Sequence, residues 1–243
     1  VGISIGDLNG IGPEIVLKAL EDSRILDFCT PVIFANVKLM SFYKKAFNIQ
    51  SNLQGIESVD KIIPKKINVL NVWKENVDVH FGKEEKEAGI YALKSFQAAV
   101  AALKEGKIDV LVTAPINKSN IQSESFSFPG HTDYLNQELE GDALMLMVSD
   151  SLRVGLLTDH VAVKDIAATI TRELVEKKIN TIHKTLIQDF GIERPKIAVL
   201  GINPHTGDNG VIGKEDDEIL RPTLDNLRNN GKVIFGPYAA DSF

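Results

Sequence analysis

The chain has 243 residues, of which 44% are hydrophobic and 25% charged, as is typical of a globular protein with a sizeable core. Its formal net charge of −6 offers no basic face to a nucleic acid, and its apolar runs, such as residues 143–148, are far too short to span a bilayer. The single cysteine, Cys29, cannot form an internal disulfide, which favours a reducing, cytoplasmic location.

The first predicted elements are a short buried strand at residues 1–5 and a helix from Pro13 to about Leu20. A glycine-rich segment that begins at Gly6 connects them. Three glycines before a helix can bring backbone amides close to an anion, but their Gly-x-x-x-Gly-x-Gly spacing is not the dinucleotide fingerprint. The segment therefore predicts either a ligand-binding loop or a tight turn.

Strands and helices then alternate. Strands are predicted at residues 31–35, 67–72 and 109–113, and helices at residues 37–47 and 83–105. The last of these strands leads to Lys118, which meets either a phosphate or carboxylate group or only solvent. Residues 119–128 are polar and aperiodic, so we predict a loop there. We place the domain boundary in this loop, with a first domain of residues 1–120 and a second of residues 121–243.

The second half continues the alternation. A helix is predicted from Asp133 to about Leu139, and two apolar runs joined by Asp150-Ser151 predict an antiparallel hairpin at residues 143–149 and 152–157. Helices follow at residues 163–169, 172–190 and 215–229, and strands at residues 196–201 and 233–235. The whole pattern predicts an α/β fold with a largely parallel sheet. Because the chain begins inside a strand and stops at Phe243 without a closing element, we expect residues of the natural protein to be absent at both ends.

Three of the five histidines are candidate functional residues, whereas His80 and His183 are interpreted as structural or surface residues. Each candidate follows an apolar or Pro-Gly stretch: His131, His160 and His205. His160 and His205 follow predicted strands, whose carboxyl ends are where open α/β sheets bind ligands. We predict that these two bind one metal ion. The 45 residues between them match no local metal motif, so the fold must bring them together.

Five short motifs occur along the chain: Gly6-Asp7-x-x-Gly10-Ile11-Gly12-Pro13-Glu14, Thr113-Ala114-Pro115-Ile116-Asn117-Lys118, Gly130-His131-Thr132, Thr158-x-His160 and Gly201-Ile202-Asn203-Pro204-His205. In this order, they resemble the motifs of the PdxA family of 4-hydroxythreonine-4-phosphate dehydrogenases. The first segment also resembles the wider isocitrate and isopropylmalate dehydrogenase superfamily. That resemblance implies two α/β/α domains with an active site in the cleft between them. Leu8-Asn9 departs from the family's commoner Pro-Ala, which leaves the fine substrate specificity open.

The resemblance also implies site residues and cofactors. His131 and Thr132 would contact the phosphorylated substrate, and His160 and His205 would bind a divalent metal such as zinc, cobalt, magnesium or nickel. In the family a third metal histidine comes from a Tyr-His-Asp-Gln-Gly stretch in the other subunit of a homodimer, and this chain has no such stretch. That stretch, the family's later substrate contacts and much of its NAD(P) surface are expected beyond Phe243. Lys118 and Asp241 are candidates for the general base.

The function implied is the NAD(P)-dependent oxidation and decarboxylation of 4-phosphohydroxy-L-threonine to 3-amino-2-oxopropyl phosphate in pyridoxal 5'-phosphate biosynthesis. A metal ion suits both steps because it stabilises negative charge that develops on the substrate oxygen. Two alternatives are a catabolic relative that oxidises 4-phospho-threonate or a related phosphorylated sugar acid, and a non-catalytic metabolite-binding relative that retains the fold.

Overall fold

The structure, a computed structural model, describes residues 1–123 and 126–243. These residues divide into two compact units, Val1–Gly141 and Asp142–Phe243. The boundary that we predicted at residues 120 and 121 falls inside the first unit, because Ile121, Phe126 and Tyr134 pack into one apolar cluster with Phe96. Residues 124 and 125 of the predicted loop lie outside the described residues.

Five parallel strands form the sheet of the first unit, in the order β3-β4-β2-β1-β5. The strands are β1 (Gly2–Ser4), β2 (Val32–Ala35), β3 (Leu53–Ile56), β4 (Ile67–Asn71) and β5 (Leu111–Thr113). The helices are α1 (Gly12–Ala19), α2 (Ile25–Phe28), α3 (Val37–Ala46), α4 (Lys86–Lys104) and α5 (His131–Glu138). The predicted α/β class and parallel sheet are confirmed.

Helices cover both faces of this sheet. On β2, Ile33 and Ala35 belong to the same apolar cluster as residues of α1 and α3. The alternate residues Val32 and Phe34 pack instead with Ala99 and other residues of α4. A strand that is buried on both faces reads as a continuous apolar run, which is why β2 was predictable from its sequence. Because the strands are parallel, the loops after β1, β2, β4 and β5 leave the sheet at one edge.

The second unit contains an antiparallel hairpin and a parallel strand pair. Its strands are β6 (Leu146–Val148), β7 (Arg153–Gly155), β8 (Lys196–Leu200) and β9 (Val233–Tyr238), and its helices are α6 (Ile166–Thr169), α7 (Arg172–Gln188) and α8 (Arg221–Asn229). The predicted hairpin is confirmed, with shorter strands. Ile197 and Val199 of β8 are buried with residues of α7 and α8, whereas Leu200 is exposed.

A π-helical turn, Asp216–Leu220, precedes α8 inside the region predicted as one helix. Pro222 explains the irregular turn, because proline has no amide to donate to the carbonyl four residues earlier and its ring crowds that carbonyl. The carbonyl concerned belongs to Glu218, and it accepts a hydrogen bond from Arg172 Nη2 at 2.8 Å instead.

Two short elements, β3 and α2, were not predicted. The sequence of β3 contains Gln54 and Gly55, which weaken the apolar strand signal, and the strand lies at the edge of the sheet. Helix α4 begins three residues later than predicted because Glu85 takes an extended conformation before it. Within the described part of the chain, no helix combines the length and apolarity needed to cross a membrane.

Candidate active site

His131 is the first residue of α5, where the sequence resemblance placed a substrate contact. Its ring packs edge-on against Phe96, with ring centroids 4.8 Å apart. Its Nε2 atom is buried, and no described residue hydrogen bonds to it. A buried polar atom without a partner is unfavourable unless a ligand satisfies it. Thr132 follows in the first turn of the helix and is half-buried.

The environment of His131 favours the neutral imidazole. Burial lowers the pKa of His131, and the positive charge of Lys118 lowers it further. The preceding Gly130 provides no side chain to cap α5, so the first amides of the helix have no side-chain acceptor from that residue. Lys118, the neutral His131 and this helix end together form a region that suits an anionic group.

The glycine-rich segment after β1 is tightly packed against neighbouring backbone. Gly6 has a φ of 68°, and a Cβ atom there would collide with the carbonyl oxygen of Pro115. A Cβ atom at Gly12 would collide with the carbonyl oxygen of Ile5. Asp7 N donates to Pro115 O at 2.9 Å, which ties this segment to the loop after β5. Close backbone packing therefore explains why glycine occupies these two positions, without a bound anion.

Asn9 joins the glycine-rich segment to the residues before α4, a role that its sequence context did not reveal. Asn9 is only 2% exposed. Its Nδ2 donates to Lys83 O and to Glu85 Oε2, both at 3.0 Å, and its Oδ1 accepts from His80 N at 2.9 Å. Glu85 also contacts His80 Nδ1 at 2.9 Å. An alanine at this position could not make these bonds.

Asp7 lies in the same segment and is partly buried. Burial raises the pKa of Asp7, the hydrogen bond from Asn9 N opposes that effect, and the charge of Glu84 raises the pKa further. The carboxyl group is therefore easier to protonate than a solvated aspartate.

A cavity of about 370 Å³ opens at the same edge of the sheet, beyond β2 and β4, and is lined by Asn36, Phe42 and His80 among others. Its size falls within the range of small-molecule sites.

His205 lies on the loop after β8, in the second unit. Its backbone φ is 51°, and the φ of Thr206 is 54°. Left-handed backbone costs about 1–2 kcal/mol for a residue with a Cβ, so this loop is strained and needs support from its surroundings. The His205 side chain is 66% exposed, and its Nε2 lies 2.9 Å from Asp241 Oδ2.

Asp241 contacts His205 through both of its carboxylate oxygens. His205 N donates to Asp241 Oδ1 at 3.2 Å, in addition to the ring contact. The hydrogen bond from His205 N, followed by that from its own backbone amide, lowers the pKa of Asp241. The carboxylate therefore stays ionised and fixes the orientation of the imidazole.

Asp216 supports the same loop from inside the protein and is fully buried. Its Oδ1 accepts from Ile202 N at 2.8 Å, and its Oδ2 accepts from Asn203 N at 3.0 Å and Asn203 Nδ2 at 3.1 Å. The sequence did not indicate this role, because Asp216 stands in an acidic run of four residues that resembles a solvated helix start.

His160, the other predicted metal ligand, is exposed and lies five residues after β7 in the second unit. Its φ of 52° is also in the left-handed region. Imidazole and carboxylate groups such as those of His160, His205 and Asp241 suit a divalent cation in kind. Among residues 1–123 and 126–243, however, no three histidine, cysteine or acidic side chains are grouped as a metal site requires. The structure brings His205 and Asp241 together, and the pairing of His160 with His205 stays a prediction.

Comparison with protein families gives one match that covers most of the chain. The model of the family described as pyridoxal phosphate biosynthetic protein PdxA matches residues 27–243. The chain is 43% identical over 245 residues to a 4-hydroxythreonine-4-phosphate dehydrogenase of Bacteroides thetaiotaomicron, and the alignment covers 100% of the chain and 67% of that protein. It is 33% identical over 247 residues to a D-threonate 4-phosphate dehydrogenase of Cupriavidus necator, covering 100% of the chain and 74% of the relative.

The fold agrees with these sequence matches. A crystal structure of a 4-hydroxythreonine-4-phosphate dehydrogenase from Burkholderia phymatum superposes with a TM-score of 0.85 at 31% identity. The superposition covers 99% of this chain and 74% of that protein.

Proposed function

Because the chain belongs to the PdxA family and is therefore a dehydrogenase, we propose that it oxidises and decarboxylates 4-phosphohydroxy-L-threonine with NAD or NADP. The product is 3-amino-2-oxopropyl phosphate, an intermediate of pyridoxal 5'-phosphate biosynthesis. The observation that carries this proposal is the 43% identity, over the whole chain, to a protein named for that substrate.

His131 and Thr132 are the proposed substrate contacts in the first unit. The Nε2 atom of His131 has no partner among the described residues, which supports a hydrogen bond to a substrate oxygen, and the lowered pKa of His131 favours the neutral ring at pH 7. Lys118 and the first turn of α5 add positive potential that favours the phosphate or the carboxylate of the substrate. A bond that forms only when substrate enters supplies both affinity and orientation.

His160 and His205 are the proposed metal ligands in the second unit, where they would bind one divalent ion, either zinc, cobalt, magnesium or nickel. The exposed imidazole of His205 and the ionised Asp241 beside it support this proposal by their chemistry. When bound, such a cation stabilises negative charge on the substrate oxygen. The protein would hold the imidazole in place through Asp241, as outer partners of metal histidines commonly do.

The reaction needs a base for the hydroxyl proton. When bound, NAD(P) would supply the acceptor for the hydride of the carbinol carbon, so the protein's own task is to provide a base for the hydroxyl proton. The β-keto acid then loses carbon dioxide, and a proton replaces it. Because its pKa is lowered, Asp241 is a weak base, and we assign it to orientation of His205. Lys118, the other candidate, serves here as a cation, so neither residue is assigned as the base.

We also propose a homodimer, because the family resemblance implies that the third metal histidine belongs to the partner subunit. The lack of a three-donor group within the described ranges is compatible with a shared site. Light scattering of the full-length protein, with and without divalent metal, measures the mass of the assembly. A monomer at micromolar concentration in both conditions contradicts this part.

A second candidate substrate is D-threonate 4-phosphate, favoured by the 33% identity to the Cupriavidus necator dehydrogenase. It carries a hydroxyl group where 4-phosphohydroxy-L-threonine carries an amine. The deciding experiment compares kcat/KM for the two substrates, with each nicotinamide cofactor, using the full-length protein. A clear preference for the amine-bearing substrate supports the biosynthetic role, a preference for the hydroxy acid supports the catabolic one, and turnover of neither favours a metabolite-binding role.

A further inference from the structure

The fully buried carboxylate of Asp216 has no part in the chemistry described above, yet it lies at the centre of the loop that carries His205. It accepts two backbone amides, from Ile202 and Asn203, and the side-chain amide of Asn203. Burying a carboxylate is unfavourable unless hydrogen bonds compensate it, so this arrangement implies a specific role.

The loop is shaped to enclose this carboxylate. A Cβ atom at Gly201 would lie 3.0 Å from Asp216 Oδ1, which is tighter than ordinary contact. A Cβ atom at Gly213 would lie 2.5 Å from Asn203 Nδ2, the group that binds Asp216. Glycine at these positions lets the backbone close around Asp216 and Asn203. Asn203 Nδ2 also donates to Glu215 Oε2 at 2.8 Å.

The strained part of the loop follows directly. Pro204 separates Asn203 from His205, and His205, Thr206, Asp208 and Asn209 all have φ between 46° and 54°. Residues with positive φ persist only where the surroundings determine them. The bonds to Asp216 anchor the start of this run, and Asp241 holds His205 itself from the other side.

We propose that Asp216 is a positioning residue, which holds the Ile202–Asn203 backbone so that the strained loop presents the His205 imidazole to a divalent cation. This inference rests on the proposed role of His205 as a metal ligand. Asp216 does not touch the imidazole, so it acts only through the loop.

The test is a cobalt titration, followed by calorimetry and visible absorption, of the metal-stripped full-length protein and its Asp216→Asn variant. The substitution preserves the shape of the side chain but replaces one carboxylate oxygen by an NH2 group, which cannot accept a hydrogen bond from the N–H groups around it. We expect cobalt affinity to fall by about 10-fold, the lower end of the loss seen for direct outer partners of metal histidines, because Asp216 acts on His205 only through the loop. Asp225→Asn is the matched control, because Asp225 is an exposed residue of α8 that pairs with Arg228, and the cobalt affinity of this variant should stay unchanged.

Two further variants separate positioning from folding. Asp216→Glu keeps a carboxylate acceptor but lengthens the side chain inside a close-packed loop, so its cobalt affinity should lie between those of the wild type and Asp216→Asn. Asn203→Ala removes only the side-chain bonds and should weaken binding less than Asp216→Asn, which keeps the test decisive if that variant fails to fold. Melting temperatures identify any variant that is merely unfolded.

The outcomes distinguish this inference from the proposed function. If the wild type binds cobalt, and the folded Asp216→Asn and Asn203→Ala variants bind it equally well, the positioning role is wrong while the function stands. If the wild type itself does not bind cobalt, the metal role of His205 fails and the inference fails with it. Weaker binding in Asp216→Asn or Asn203→Ala, with an unchanged control, supports the inference.

Discussion

His131 in the first unit and His205 in the second are held in opposite ways. The Nε2 atom of His131 is buried without a partner among the described residues, on the regular first turn of α5. The His205 side chain is 66% exposed, on strained backbone, and bonded to a carboxylate. A buried neutral imidazole suits a hydrogen bond to one ligand atom, whereas an exposed imidazole oriented by a carboxylate suits a cation. The two regions thus fit different parts of one proposed reaction.

Removal of His205 should have the largest effect. We expect His205→Ala to lower kcat/KM by more than the roughly 100-fold that loss of an outer metal partner can cost. Because the side chain is exposed, the melting temperature should change little. Steady-state kinetics and thermal unfolding measure both. His183→Ala, on α7, is the control, and equal activity of the two variants contradicts the role assigned to His205.

Replacement of His131 by phenylalanine should affect binding instead of stability. The loss of one hydrogen bond to a charged substrate group, worth about 1.5–3 kcal/mol, raises KM by roughly 10- to 100-fold. The unfolding free energy should be unchanged or higher, because an unpartnered polar atom is removed next to Phe96. A variant with unchanged KM and lower stability would show that His131 is only a structural residue.

Asp241→Asn tests the carboxylate side of the comparison and should have a smaller effect than His205→Ala. The imidazole stays in place but loses its ionised partner, so kcat should fall about 10-fold with little change in KM. A pH–rate profile of the variant adds a second readout. A loss as large as that of His205→Ala would assign Asp241 to the reaction itself.

The smallest expected effect is on the pH dependence of the unfolding free energy, which should differ between His131 and Asp241. Burial lowers the pKa of His131 below that of the unfolded chain, so protonation favours unfolding. The wild type therefore loses stability as the pH falls from about 6.5 through the folded pKa, and His131→Phe should lack that loss. The lowered pKa of Asp241 contributes stability that is lost only below its unfolded pKa, near 4. Urea unfolding at pH 5, 6 and 7 measures this, and equal pH slopes for wild type and His131→Phe refute it.

The strands and loop that precede the candidate histidine His205 were predictable from the sequence. Apolar runs located β2 and β8, and Asn203-Pro204 correctly predicted that the strand ends before His205. The family resemblance, confirmed by the comparisons, supplied the roles proposed for His131 and His205. These signals depend on neighbours in the sequence.

The supporting residues were not predictable, because their partners are distant or their pattern suggests something else. Asn9 forms hydrogen bonds with residues more than 70 positions away, and its neighbours in the sequence do not indicate those contacts. Asp216 resembles a solvated acid at a helix start, although it is buried. Pro222 could have indicated the π-helical turn, since proline inside a predicted helix removes a donor.

His160 and His205 are proposed to bind one shared cation, and a cobalt titration of the full-length wild type, His160→Ala and His205→Ala tests this pairing. We expect the wild type to bind one cobalt ion per chain, with a visible absorption that either substitution abolishes. Cobalt binding of wild-type affinity in both variants would show that the two histidines do not share a cation.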